Sequence, residues 1–332
     1  MRSILSGACV AVTVAITGCG GGGPAAQVIT IDGSSTVFPV TEAMAEEFRN
    51  ANPGARITVG ISGTGGGFQK FCRDEIDISD ASRPIGASEQ EACAKAGVEY
   101  IELPVAYDGL AVVVHSKNTW ASSMTIAELK RLWEPAAQGT ITRWNQIRSG
   151  WPDREIRLFG AGVDSGTFDY FTEAIVGTAT RSRGDYTSSE DDNVIVQGVS
   201  GDEYALGYFG YAYYEENRDR LTLVAIDDGD DANGRGPIAP SPQTVRDGTY
   251  HPLSRPIFIY AKVAALERPE VRDFVEFYLG EGVPLVREVG YVALTDAELA
   301  LVRARFAART TGTMYDGPSS QTTITLEQRL SR

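Results

Sequence analysis

The chain has 332 residues, enough for two α/β domains around a substantial core. Thirty Lys and Arg against 44 Asp and Glu leave a net charge of −14, which excludes the basic footprint of a nucleic-acid binder. A hydrophobic share of 42% is ordinary for a globular protein, and no run of like charge is long enough to form a tail.

The first residues read as an export signal. Met1-Arg2 is a short basic start, residues 4–16 are apolar and small, and the stretch is too short to span a membrane. Ile16-Thr17-Gly18-Cys19 resembles a bacterial lipobox. It predicts removal of 1–18, lipid on the Cys19 thiol, and a flexible Gly-rich tether over 19–27. The protein is then exported and anchored by lipid to a membrane on its periplasmic or extracellular side. Cys9 leaves with the signal, so Cys72 and Cys93 remain as an even pair in an oxidising compartment. Their disulfide is expected to contribute ~3 kcal/mol through loop entropy. With no CxxC and two histidines, His115 and His251, no metal site or cofactor is expected.

In the mature chain, a β run at 28–31 stops at Asp32-Gly33. Ser34, Ser35 and Thr36 follow, and then Val37, Val40, Met44 and Phe48 recur at helical spacing. Pro39 suits a first helical turn, where a missing N–H costs nothing. Three hydroxyls therefore sit at a helix start, where free N–H groups and the positive dipole end attract an anion. Residues 56–59 form a second strand, the turn 60–67 is rich in Gly, Ser and Thr, and Phe68, Phe71 and Ile76 continue as a helix. No Gly-Lys-Ser/Thr follows and GxGxxG spacing is not met, so neither nucleotide motif is present.

A short strand then enters a polar turn at 77–84, where Pro84 holds Arg83 extended as a fixed guanidinium. The apolar runs 100–105 and 110–114 read as a crossing between lobes, and 125–133 and 142–147 as helices. A third strand, Gly/Ser/Thr turn and helix follows at 156–175, with Phe168, Phe171 and Ile175 on the apolar face. Further on, 185–192 reads as a loop, 202–206 as a helix, 207–211 as a strand and 227–236 as a loop. Residues 257–260 look like the crossing back, 271–279 and 296–308 like helices, and 310–332 carries no clear pattern. Three strand–turn–helix units in a chain that crosses twice predict a two-lobed α/β protein that holds a small oxyanion. Donors at contact distance can do this inside an acidic protein, because the net field is screened over ~8–10 Å.

Five segments resemble motifs of the phosphate-binding proteins of bacterial ABC importers: GSSTVFP at 33–39, SGTGGGF at 62–68, DISDASRPI at 77–85, DSGTFDYF at 164–171 and GYFGYAYY at 207–214. The resemblance runs from about residue 29 to 294 and implies the periplasmic-binding-protein class II fold, α/β and two-lobed, with two crossover strands and the ligand in the inter-lobe cleft. It divides the chain into lobe I (28–108 and 257–332) and lobe II (109–256). It implies no enzymatic activity, phosphate as ligand, and a monomer that delivers phosphate to a membrane permease by cleft closure. By position, Ser35, Thr36 and the Val37 N–H resemble the first ligand group, Thr64 and Gly65 the second, and Ser165, Gly166 and Thr167 the third. Two positions depart from the best-known members, which carry an Asp acceptor for the phosphate proton at Ser82 and an Arg at Ala161. Ser82 as a less selective acceptor and Arg83 as the replacement cation are the expected substitutes. Sulfate or molybdate is the same-fold alternative. A serine hydrolase would have to pair Ser165 or Ser35 with His115 or His251, and neither serine stands in GxSxG.

Overall fold

Strand, helix, strand succession starts at once in the computed structural model, which describes residues 28–163, 165–189, 191–315 and 325–331. The expected signal, the Cys19 lipid site and the tether, over 1–27, lie outside the described residues. β1 (Ile29–Gly33), α1 (Phe38–Ala51), β2 (Ile57–Ile61), α2 (Gly63–Cys72), β3 (Ile78–Ala81) and α3 (Ala87–Ala96) build the first half. β1 lies parallel between β2 and β3, with Gly33 opposite both Ile61 and Asp80. All three strands therefore release their turns at one sheet edge. Val40, Met44 and Phe48 of α1 are buried at the predicted spacing, with Pro39 in the first turn. Cys72 at the end of α2 is bonded to Cys93 of α3.

β4 (Tyr100–His115) then runs 16 residues and is buried through Val114. That is two to three times an ordinary strand of ~5–6 residues. The two apolar runs read from the sequence are thus one strand. Pro104 is tolerated inside it because the register with the later strand 254–262 slips at Ile257/Phe258, which leaves Val105 as an extra residue. A bulge is where a central strand can accept a residue without an N–H.

The second half holds β5 (Ser123–Thr125), α4 (Ile126–Trp133), β6 (Arg157–Ala161), α5 (Gly166–Phe171), which runs on as a π turn over Thr172–Val176, β7 (Thr187–Ser189), α6 (Asp192–Gly201), β8 (Ala205–Gly210), α7 (Tyr211–Glu216), β9 (Leu221–Leu223) and β10 (Ala225–Asp227). α8 (Pro242–Arg246) leads into β11 (Ser254–Lys262). α9 (Pro269–Tyr278), α10 (Val283–Glu288), β12 (Val292–Ala293), α11 (Asp296–Ala307) and α12 (Leu326–Leu330) follow. The strand order is β2-β1-β3-β11-β4-β8-β6-β7, with β9 and β12 also on β4. Residues 100–109 of β4 pair with β11 and residues 110–114 with β8. One continuous backbone therefore belongs to both sheets. The second core is aromatic: Phe171 stacks on Tyr208 at 3.7 Å, and Trp133 meets both edge-on.

Four local readings change. The helix expected at 142–147 is a 3₁₀ turn at Trp144–Gln146, because Gln146 Oε1 accepts the Thr142 and Arg143 N–H groups at 2.8 Å each. The helix expected at 202–206 lies earlier, as α6, with Ile195, Val196 and Val199 buried and Asp191 capping it. Asp202 instead accepts the Tyr204 N–H at 2.8 Å and turns the chain into β8. The loop expected at 185–192 contains β7, which adds to the edge of β6. The unpatterned tail docks on the first half: buried Glu102 accepts from Thr313 Oγ1 at 2.7 Å and the Met314 N–H at 2.8 Å.

The disulfide closes a loop with a sequence separation of 21. Cys72→Ala/Cys93→Ala is expected to lose about 3 kcal/mol of unfolding free energy. Urea melts with and without reductant check this; equal midpoints would contradict it.

Candidate anion site between the lobes

Gly33 ends β1 with φ +149°, and a Cβ there would stand 2.1 Å from the Asp80 carbonyl oxygen. Only glycine allows that approach. It turns the chain so that the Ser34 N–H donates to Asp80 O at 3.0 Å. Ser34 Oγ then accepts the Thr36 N–H at 3.2 Å, and Ser34 O accepts the Val37 N–H at 3.1 Å. The Val37 N–H named in the first ligand group is thus taken up by the cap itself. The Ser35 and Thr36 hydroxyls remain to reach across the cleft.

At the start of α2, Thr64 Oγ1 lies 3.1 Å from Ser82 Oγ and accepts the Ser82 N–H at 3.2 Å. From the other half, Ser165 caps α5 by accepting the Thr167 N–H at 3.2 Å. Gly166 presses against α1: a Cβ on it would stand 2.4 Å from Thr36 N, and its carbonyl accepts from Thr36 Oγ1 at 3.3 Å. The starts of α1 and α5 therefore touch across the lobes, and α2 opens on the same space. A cavity of about 580 Å³ lies there, walled by Ser35, Thr36, Thr64, Gly65, Ser82 and Arg83 on one side. Asp169 and Tyr170 of α5 form the facing wall. Ser165, Gly166 and Thr167 lie at the seam beside it.

Among the arginines that line the cavity is Arg255, which the sequence reading missed. It opens β11 opposite Asp108 of β4. One terminal nitrogen donates to Thr36 Oγ1 at 3.1 Å, and the guanidinium lies 3.5 Å from the centroid of the Tyr170 ring. Asp108 Oδ2 stands 3.7 Å away and Glu173 Oε2 3.9 Å away. Burial pushes the Asp108 carboxyl up to about 6, against the pull of Arg255. Arg83, the expected cation, lines the wall but lays its fork on both oxygens of Glu89 at 2.8 Å. Arg255-Pro256 repeats the extended Arg-Pro context of Arg83-Pro84, and that was the signal available in the sequence.

Asp169 accepts from Ser35 Oγ at 3.0 Å. Burial raises its carboxyl above the usual range, Ser35 opposes that, and Glu173 adds to it. Beneath the first turn, Asp80 is fully buried. Burial pushes its carboxyl up to about 8, with the Thr41 hydroxyl opposing the rise and Asp32 adding to it.

Neither histidine serves the serines. His115 Nδ1 accepts the Lys117 N–H at 2.9 Å, and His251 Nδ1 stands 2.9 Å from Asp228 Oδ2. Two lobes, a cleft at strand ends and helix starts aimed into it make a solute-binding architecture. A PBP superfamily domain matches residues 20–281. SphX of Synechocystis sp. is 49% identical over 294 residues, 88% of this chain and 86% of SphX. The phosphate-binding protein PstS of Staphylococcus saprophyticus is 36% identical over 284 residues, 83% of this chain and 85% of PstS. The crystal structure of a possible phosphate binding protein from Planctomyces limnophilus superposes with a TM-score of 0.81 at 46% identity, covering 86% of this chain and 100% of that one. The chain belongs to the PBP superfamily and, within it, to the family of SphX and PstS.

Gly166→Ala is expected to hold the lobes apart, since Thr36 backbone cannot yield to a Cβ. Small-angle scattering should show a larger radius of gyration than wild type in the same buffer; an unchanged radius would contradict the contact. Asp80 gives a stability prediction. Its folded pKa lies above the unfolded value of ~3.9, so its contribution is full below that value and is lost as pH rises through about 8. The urea midpoint should fall over this range, and Asp80→Asn should flatten the fall.

Proposed function

We propose that the protein is the phosphate receptor of an ABC importer, a binding protein with no chemistry of its own. The observation that carries this reading is Arg255 at the Thr36 hydroxyl, among helix starts from both lobes. Hydroxyls and a guanidinium at helix starts are the donors that a desolvated tetrahedral anion needs. The chain's relatives point the same way: PstS of Staphylococcus saprophyticus is a phosphate-binding protein. The proposed ligand set is Ser35, Thr36, Thr64, Gly65 and Ser82 on one side, Ser165, Gly166 and Thr167 on the other, and Arg255 on the crossover strand between them. Arg83 supports the wall through Phe68 and Glu89.

In this reading lobe I comprises 28–108 and 257–332 and lobe II 109–256, and they rotate about β4 and β11. Phosphate binds the open form, and the closed form is favoured by its differential contacts with both lobes. Closure brings Gly166 onto Thr36 and removes water from the anion, which strengthens each donor. The closed form then docks on a membrane permease. Export, lipid on Cys19 and a monomer complete the proposal.

Calorimetry on ligand-stripped mature protein tests it. Phosphate should bind tightly, and Arg255→Lys should weaken it about 10–100-fold, because a point charge replaces a planar fork. No heat with phosphate would overturn the reading.

A further inference from the structure

Three carboxylates line the cavity, Asp169, Glu173 and Asp247, although the site is built to attract an anion. Glu173 is 62% exposed and pairs loosely with Arg255 at 3.9 Å. Asp169 differs: it is half-buried, and it already holds a hydroxyl of the proposed ligand set, Ser35 Oγ, at 3.0 Å. A carboxylate aimed at an anion repels it unless a proton lies between the two. Ionised carboxylates only accept, so the proton must come from the ligand.

We propose that Asp169 is the residue that selects for a proton-bearing oxyanion, accepting the O–H of monohydrogen phosphate from the lobe II side of the cleft. The inference rests on the receptor reading above and deepens it. Ser82 does not need to fill the role, since its hydroxyl is engaged with Thr64 Oγ1 at 3.1 Å. When the ligand arrives, Asp169 exchanges the Ser35 hydroxyl for the phosphate O–H, and Ser35 turns to donate to a bare phosphate oxygen. Each group keeps one partner. Sulfate has no proton near neutral pH, so it would meet the Asp169 carboxylate charge against charge. Arsenate keeps its proton and should follow phosphate. The raised carboxyl of Asp169 agrees with a group facing other negative charge in a dry place.

The position in the first turn of α5 has an ordinary alternative, an acid that stabilises the helix start. That role affects folding and leaves anion preference untouched. The test is therefore a ratio. Phosphate, arsenate and sulfate are titrated by calorimetry into ligand-stripped mature wild type, Asp169→Asn and Asp169→Ser, with thermal melts of each protein alone. Sites built around a ligand hydroxyl reject the analogue lacking it by about 10⁴-fold or more, so either variant should shrink the phosphate-to-sulfate affinity ratio at least ~100-fold. Sulfate affinity should rise as phosphate and arsenate affinity fall. Ratios that stay at the wild-type value, with or without a lowered melting temperature, overturn the role of Asp169 alone. Wild type that ignores phosphate overturns the receptor reading and this inference with it.

Discussion

Three helix starts aimed at one small space are the constraint on which this molecule depends. Each carries roughly half a positive charge and N–H groups without intrahelical partners, so bringing them together is unfavourable until something negative lies between them. The fold sustains that arrangement by rigid means. β1, β2 and β3 lie parallel and in register, which sends α1 and α2 from one edge, and the cap at Ser34 fixes the angle of α1. β6 does the same for α5 from the other sheet. β4 joins the two sheets, because one buried backbone pairs with β11 in the first and β8 in the second. Glycine at 33 lets β1 close on Asp80, and glycine at 166 lets α5 close on Thr36.

Arg255 ties this geometry to charge. It stands on a strand that joins the lobes, so the main fixed cation of the cleft sits at the proposed hinge. Its companions divide the work of keeping it there. Asp108 balances the charge from behind, Tyr170 offers the negative face of its ring, and Thr36 Oγ1 takes one donor. Nε carries no hydrogen bond among the described residues, and neither does Asp108 Oδ2. A pair so loosely bonded holds its charge ready for a third partner. That differs from Arg83, whose two donors already meet a carboxylate fork.

The organisation of the chain was legible because it repeats a physical pattern. Strand, Gly/Ser/Thr turn and helix occur three times, and a β run gives way to helical spacing at each turn. The candidate anion site follows from that pattern, as does the pairing of Cys72 with Cys93 from their even count. Arg255 was not legible. It lies far along the chain from every turn motif, and its place depends on the register of β11 against β4, which periodicity does not reveal. Asp169 was hidden differently, inside a recognised motif but on its helical face, three residues past Gly166. The misplaced helix at 202–206 shows the limit of local reading. Asp202 marks a helix end rather than a start, and its side chain bonds forward into the strand. Trp144 belongs to a turn because its indole N–H is drawn to Tyr204 O at 3.0 Å, a contact 60 residues away.

The most direct test of the account is a crystal structure of the mature protein with phosphate. The anion should lie between the starts of α1, α2 and α5, within hydrogen-bond reach of Arg255, with Gly166 against Thr36. An anion held elsewhere on the protein, with Arg255 still on Asp108 and Thr36 alone, would contradict it.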